Sequence, residues 1–169
     1  MNIENLSVQR RKKCATLLVG IQFILLFVIG IMVLLRVGRG SHNYLVFELI
    51  SIAIGTLVIT VAGLALKPSL RISPIPKSNA PLIASGIYRF VRHPMYLGVI
   101  LIGFGMTGYA DSILAWILEV ALVVDLNIKA RFEDALLREI HPESIHYQLH
   151  VSRLLPCVGG SCRANCSAD

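Results

Sequence analysis

Residues 14–35 form a run of 22 without a charged side chain. As a helix rising ~1.5 Å per residue it spans the ~30 Å hydrocarbon layer of a bilayer. A second run, residues 44–66, has 23 residues and one charge, Glu48, near its start. In a chain of 169 residues a water-soluble fold could not bury two such helices on every side. The composition agrees, with 55% hydrophobic and 15% charged residues, against roughly half and a quarter in soluble proteins. The 13 glycines and 7 prolines follow no three-residue period, which excludes a collagen, and the apolar content excludes a disordered chain. The expectation is an all-α integral membrane protein.

A shorter apolar run, residues 95–110, meets a break at Asp111-Ser112 and is followed by residues 113–126, interrupted by Glu119. These predict a short helical hairpin. Sixteen residues reach only ~24 Å, so the hairpin borrows flanking residues, thins the bilayer or crosses incompletely. The fold predicted is therefore about four transmembrane helices, two long and two in the hairpin, plus a cytoplasmic amphipathic helix. If the segments alternate, fourteen of the basic residues fall on one side and only Arg36 and Arg39 on the other. The positive-inside rule then puts both termini in the cytoplasm. Arg36-Val37-Gly38 stands where a secretory leader would carry small residues, so the first helix is expected to be retained. The net charge of +6 lies beside the spans rather than on a separate basic domain. Topology and anionic lipid account for it, and no nucleic-acid partner is expected.

The chain divides into a basic N-terminus (1–13), the two long helices (14–66), a segment holding the hairpin and the polar stretches (67–156) and a tail (157–169). Pro68, Pro74, Pro76 and Pro81 keep residues 67–94 from forming one long helix, so the segment reads as an extended linker ending in the stretch Gly86 to Tyr96. That stretch contains Arg92-His93-Pro94, where proline suits the first turn of a helix and leaves Arg92 and His93 at its mouth. Arg92, His93 and Tyr96 then form either an anion-binding cluster or a headgroup anchor, with Tyr88 and Tyr96 as interfacial aromatics. Beyond the fourth apolar run, Ile128, Phe132, Leu136 and Ile140 recur at helical spacing up to Pro142. This amphipathic helix carries Arg131, Glu133 and Asp134. The two carboxylates suit a cationic ligand, or else the helix has a solvated charged face with Asp134–Arg138 and Lys129–Glu133 pairs.

Glu119 is the ionisable residue deepest in an apolar run and so a functional candidate; Asp125 can pair with Lys129 one turn on. Cys157, Cys162 and Cys166 lack the C-x2-C pair usual in zinc sites and read as reduced thiols of a disordered tail, with Cys14 apart. His141, His146 and His150 lack a companion carboxylate motif and read as surface residues. No metal is expected.

Gly86-Ile87-Tyr88-Arg89, Arg92-His93-Pro94-Met95-Tyr96-Leu97-Gly98, the hairpin, Arg131-Phe132-Glu133-Asp134, Tyr147 and Val151-Ser152-Arg153-Leu154-Leu155-Pro156 together form a pattern. Over about residues 82–156 it resembles the isoprenylcysteine carboxyl methyltransferase family of membrane enzymes, related to phospholipid methyltransferases. The resemblance makes 67–156 a methyltransferase-like core. It implies S-adenosylmethionine as cofactor on the cytoplasmic side, held by Tyr88, His93, Pro94, Tyr96, Gly98, Glu133 and Asp134. A carboxylate pair suits the donor's amino group and sulfonium, while His93 and the helix-start N–H groups suit its carboxylate. The acceptor implied is hydrophobic or prenylated, a small molecule or a protein C-terminus drawn from the bilayer, with Arg92 and Arg131 orienting its carboxylate. The chain departs from the family at Asp134, where the second Glu stands, and at Ile140-His141-Pro142-Glu143-Ser144, which replaces Phe-Gly before Glu-Tyr. Two other readings are an NADPH-dependent membrane reductase, which has a similar H-P-x-Y segment, and a non-catalytic scaffold whose motif has decayed.

Overall fold

The computed structural model describes residues 3–36, 44–66, 85–142 and 144–155. Five helices follow one another: α1 (Ile3–Arg36), α2 (Leu45–Leu66), α3 (Pro94–Ala110), α4 (Ile113–Ile140) and α5 (Ser144–His150), with a 3-10 turn at Gly86–Arg89 before α3. Most of the linker and the cysteines at 157, 162 and 166 lie outside the described residues. Two segments, Lys13–Arg36 and Leu45–Leu66, are long and apolar enough to cross a membrane; Pro94–Ala110 is apolar but shorter.

Local chemistry sets the ends. Gly86 has φ +61, a left-handed conformation that glycine adopts without a Cβ clash, and it opens the 3-10 turn. Pro94 is the first residue of α3, where the missing N–H costs nothing. The helix stops at Asp111, which takes the left-handed conformation (φ 45) and returns its N–H to Thr107 and Gly108. Ser112 is extended and α4 starts again at once. That helix continues past the apolar run to Ile140, so the amphipathic segment is the same rod as the fourth apolar run. Its buried residues Ala115, Glu119, Leu122, Leu126, Ala130 and Asp134 recur every three, four or seven positions, one face from end to end.

The centre of the bundle is α3, which packs against α1, α2 and α4. Its contact with α2 is backbone to backbone: a Cβ on Gly98 would stand 2.7 Å from the carbonyl oxygen of Gly55, and one on Gly55 2.6 Å from that of Gly98. Small residues allow helices to approach this closely where no hydrophobic force separates helix contact from lipid contact. Gly103 on another face accommodates the Glu119 carboxyl of α4. Edge-to-face contacts Phe47–Phe104 and Phe104–Trp116, with centroids 6.1 and 5.1 Å apart, tie α2, α3 and α4. Helices α1 and α4 run antiparallel, joined at one end by Arg36 and Asp111 (2.7 Å) and, from the middle of α1, by Gln22 and Lys129 (3.1 Å). Outward-facing Phe23, Phe27, Leu34, Val46, Leu57, Ile113 and Val120 are each more than half exposed. That apolar surface matches lipid rather than water.

Candidate active site

The residues after α5 double back onto the mouth of α3. Val91 and Ser152 form a parallel bridge. The Arg92 N–H donates to Ser152 O at 2.9 Å and the His93 N–H to Arg153 O at 3.0 Å. Tyr147 of α5 adds a 2.5 Å hydrogen bond from its hydroxyl to Tyr88 O. Burial, then the neighbouring Tyr147, pushes the Tyr88 phenol up to about 12. Burial likewise takes Tyr147 to about 12, with Arg92 opposing. Both phenols therefore stay protonated at neutral pH.

Asp134 is the knot under this corner. Its side chain is 4% exposed and meets two guanidinium groups and an imidazole: Arg92 Nη1 at 3.0 Å, Arg153 Nε at 2.9 Å and His93 Nε2 at 2.9 Å. Burial pushes its carboxyl up, but the hydrogen bonds from His93 and Arg153 and the charges of His93 and Arg92 outweigh it and hold it below the usual aspartate range. Gln148 of α5 also donates to the Asp134 carbonyl at 3.0 Å and accepts from Arg138 Nε at 2.6 Å. Asp134 therefore does not pair with Arg138, as helical spacing had suggested.

Above the knot lies a cleft of about 200 Å³. Its apolar wall is Leu66 at the end of α2 with Pro94 and Met95; its polar wall is Tyr88, Arg92, His93, Tyr96 and Glu133. Tyr96 donates to Glu133 Oε1 at 2.5 Å and its ring stacks on His93 at 5.3 Å. His93 Nδ1 stands 3.5 Å from Glu133 Oε2, so the imidazole bridges the two acidic residues of α4. Lys129 stands behind Tyr96, outside the cleft lining, its Nζ 4.8 Å from the Tyr96 ring centroid and bonded to Gln22.

Two groups on the cleft have unused bonding capacity. Arg92 has a side chain 9% exposed, yet its Nε has no hydrogen-bond partner, and its Nη1 faces Asp134 as an ion pair without a directed hydrogen bond. Burial, opposed by Asp134 and reinforced by Arg153, lowers its pKa from the usual arginine value. Glu133 accepts one hydrogen bond, from Tyr96, and an ionised carboxylate has about four lone-pair sites. A buried unpaired donor costs ~1 to 3 kcal/mol, and Arg92 carries that cost in this structure.

Of the residues singled out from the sequence, the structure brings Tyr88, Arg92, His93, Pro94, Tyr96 and Glu133 to this cleft. Three stand elsewhere. Gly98 faces α2, where the two backbones meet, and serves the crossing. Arg131 is exposed and outside the cleft lining, because it projects from the face of α4 opposite the buried stripe. Asp134 lies behind the cleft, occupied by Arg92, Arg153 and His93, so it orders those groups and is not free for a ligand's amino group. Arg153, in the Val-Ser-Arg-Leu-Leu-Pro segment, is a further residue of the corner, which no local spacing points to. Arg153 pairs with Asp134, while Arg131, expected to orient an acceptor carboxylate, stands away from the cleft.

The fold and cleft define a helical membrane protein with a polar site at the end of its apolar helices. The phospholipid methyltransferase family model matches residues 46–144, more than half of the chain, and the chain belongs to that family of membrane methyltransferases. Comparison with curated proteins and with solved structures gives no match.

Proposed function

We propose that the chain is an S-adenosylmethionine-dependent methyltransferase of four membrane-spanning helices with both termini cytoplasmic. Its acceptor is lipid-linked or hydrophobic, such as an isoprenylcysteine carboxylate. The observation that carries this reading is the pairing, on one cleft, of a buried guanidinium lacking an acceptor with a carboxylate that has lone pairs to spare. A zwitterionic ligand end fits that pair: its carboxylate to Arg92, its ammonium or sulfonium to Glu133. The cleft is smaller than the ~300 to 1,000 Å³ of common small-molecule sites, which suits the amino-acid end of the donor rather than the whole nucleoside.

When bound, the donor supplies a methyl group on a positive sulfonium, open to in-line displacement. The chain's own part is alignment. Tyr96 fixes Glu133 by its hydroxyl and His93 by stacking, while Asp134 fixes Arg92 and His93 from below. Leu66, Pro94 and Met95 keep water from one side, which strengthens each charge on the other. A carboxylate acceptor has no proton to lose, so no strong base is needed beside it.

Titration calorimetry of the detergent-purified chain with S-adenosylmethionine, S-adenosylhomocysteine and NADPH tests the reading. Binding of the first two and not the third is expected. Binding of NADPH alone makes the chain a reductase, and binding of none by folded protein makes it a scaffold. Arg92→Ala should weaken donor binding by about tenfold or more, the worth of a charge-assisted hydrogen bond. Arg131→Ala should leave it unchanged, since that side chain is exposed. Transfer of labelled methyl to prenylcysteine analogues and lipid extracts then tests the acceptor.

A further inference from the structure

Lys129 is placed four residues before Glu133 and four after Asp125 on α4, yet it forms an ion pair with neither among the described residues. Its residue is 9% exposed, so solvent does not explain the choice. The Nζ is held instead by Gln22 Oε1 of α1 at 3.1 Å and stands over the Tyr96 ring at 4.8 Å. Two physical terms favour this arrangement. A lysine N-terminal to its glutamate is the weaker orientation of an i,i+4 pair. A desolvated cation over an aromatic face is worth ~2 kcal/mol, more than such a pair.

We infer that Gln22 acts as a positioning residue, holding Lys129 off Glu133 so that the Glu133 carboxylate stays open to a ligand cation. Helix α1 lies outside the matched residues 46–144 and reaches the site through the Gln22–Lys129 hydrogen bond. Three donors on an ammonium group need acceptors. With Gln22 removed, the carboxylates one turn away are Asp125 and Glu133; the ammonium already stands over the Tyr96 ring, whose hydroxyl bonds Glu133, so Lys129 falls onto Glu133. The positive charge that now sits beside the cleft then blocks it. This inference rests on the donor-binding reading of the cleft and assigns a role to residues that reading does not use.

The test compares wild type, Gln22→Leu and the double variant Gln22→Leu/Lys129→Met, each as the full chain in detergent, by calorimetry with S-adenosylmethionine. Gln22→Leu should weaken binding about tenfold, and the added Lys129→Met should restore it to within about threefold of wild type. A purely structural role for Gln22 gives the opposite, a double variant at least as weak as the single one, and that overturns the inference. So does a Gln22→Leu variant that binds like wild type. Gln22→Glu, which holds Lys129 more firmly, covers the case in which Gln22→Leu does not fold: undiminished binding supports the inference and weakened binding overturns it. A second readout needs no donor: carbodiimide labelling of Glu133, quantified by mass spectrometry. Labelling should fall in Gln22→Leu and return in the double variant; equal labelling in all three overturns the inference. Wild type that fails to bind the donor refutes the methyltransferase reading alone, and the labelling result then decides the role of Gln22.

Discussion

One buried carboxylate, Asp134, joins Arg92, His93 and Arg153 from two distant parts of the chain, and its removal should disrupt the site. Asp134→Asn would leave Arg92 and Arg153 as neighbouring like charges without a counter-ion. Loss of one member of a buried ion pair costs ~3 to 5 kcal/mol, because the remaining charges stay desolvated. The expected outcome is a lowered unfolding midpoint in detergent, with residues 151–155 becoming open to protease. The same residue sets a pH window. Its folded pKa lies below that of an unfolded aspartate, about 3.9, so its stabilising contribution is complete above that value. The contribution is lost as the pH falls through the lower, folded value. Hydrogen exchange at the Arg92 and His93 amides, which bond Ser152 and Arg153, should report it once corrected for intrinsic rates. Protection should hold from neutral pH to about 4 and fail below; failure already near pH 6 would show that another group governs the corner.

Between helices the decisive contact is the crossing of α2 and α3. A methyl group on Gly98 would stand 2.5 Å from Ile59 Cγ1 and 2.7 Å from the Gly55 carbonyl oxygen, and a backbone atom cannot turn aside as a side chain can. Gly98→Ala should therefore push the helices apart and cost ~1 to 3 kcal/mol, the usual penalty of overpacking. Gly20→Ala is the control, since nothing lies within 4 Å of that Cβ position. An unfolding midpoint equally unchanged in both would remove the crossing from the account of stability. The same comparison shows what a sequence can and cannot disclose. Uncharged runs, a proline opening α3 and apolar spacing along α4 are local signals, and the helices follow them closely. Gly98 carries no such signal, because a glycine beside a motif is as suited to a ligand's approach as to a helix's. The partners of Asp134 lie 41 residues before it and 19 after it. Arg138, at the favourable helical spacing, competes for it on local grounds, and only the return of the chain after α5 brings Arg153 in its place.

For the whole molecule the question is how the four apolar helices stand across a bilayer. Arg36 ends α1 and Asp111 makes the α3–α4 turn, and their 2.7 Å contact sets both at one level. Gln22 and Lys129 meet away from that level, toward the cleft at Leu66, His93 and Glu133. Chain direction therefore alternates from helix to helix, as the four crossings proposed above need. The Arg36–Asp111 pair, with side chains 36% and 78% exposed, contributes little energy by itself. Its value is in marking the level of the far surface. In the topology proposed above, the positive-inside rule makes the other side the cytoplasmic one. The prediction is specific enough to fail. In a chain whose native cysteines are replaced by serine, Asp111→Cys should react with a membrane-impermeant maleimide from outside intact cells. Lys13→Cys should react only after the membrane is permeabilised. If both react from the same side, α1 and the hairpin do not cross as an alternating set. The cleft would then lose its assignment to the cytoplasmic face, where a water-soluble donor could reach Arg92 and Glu133.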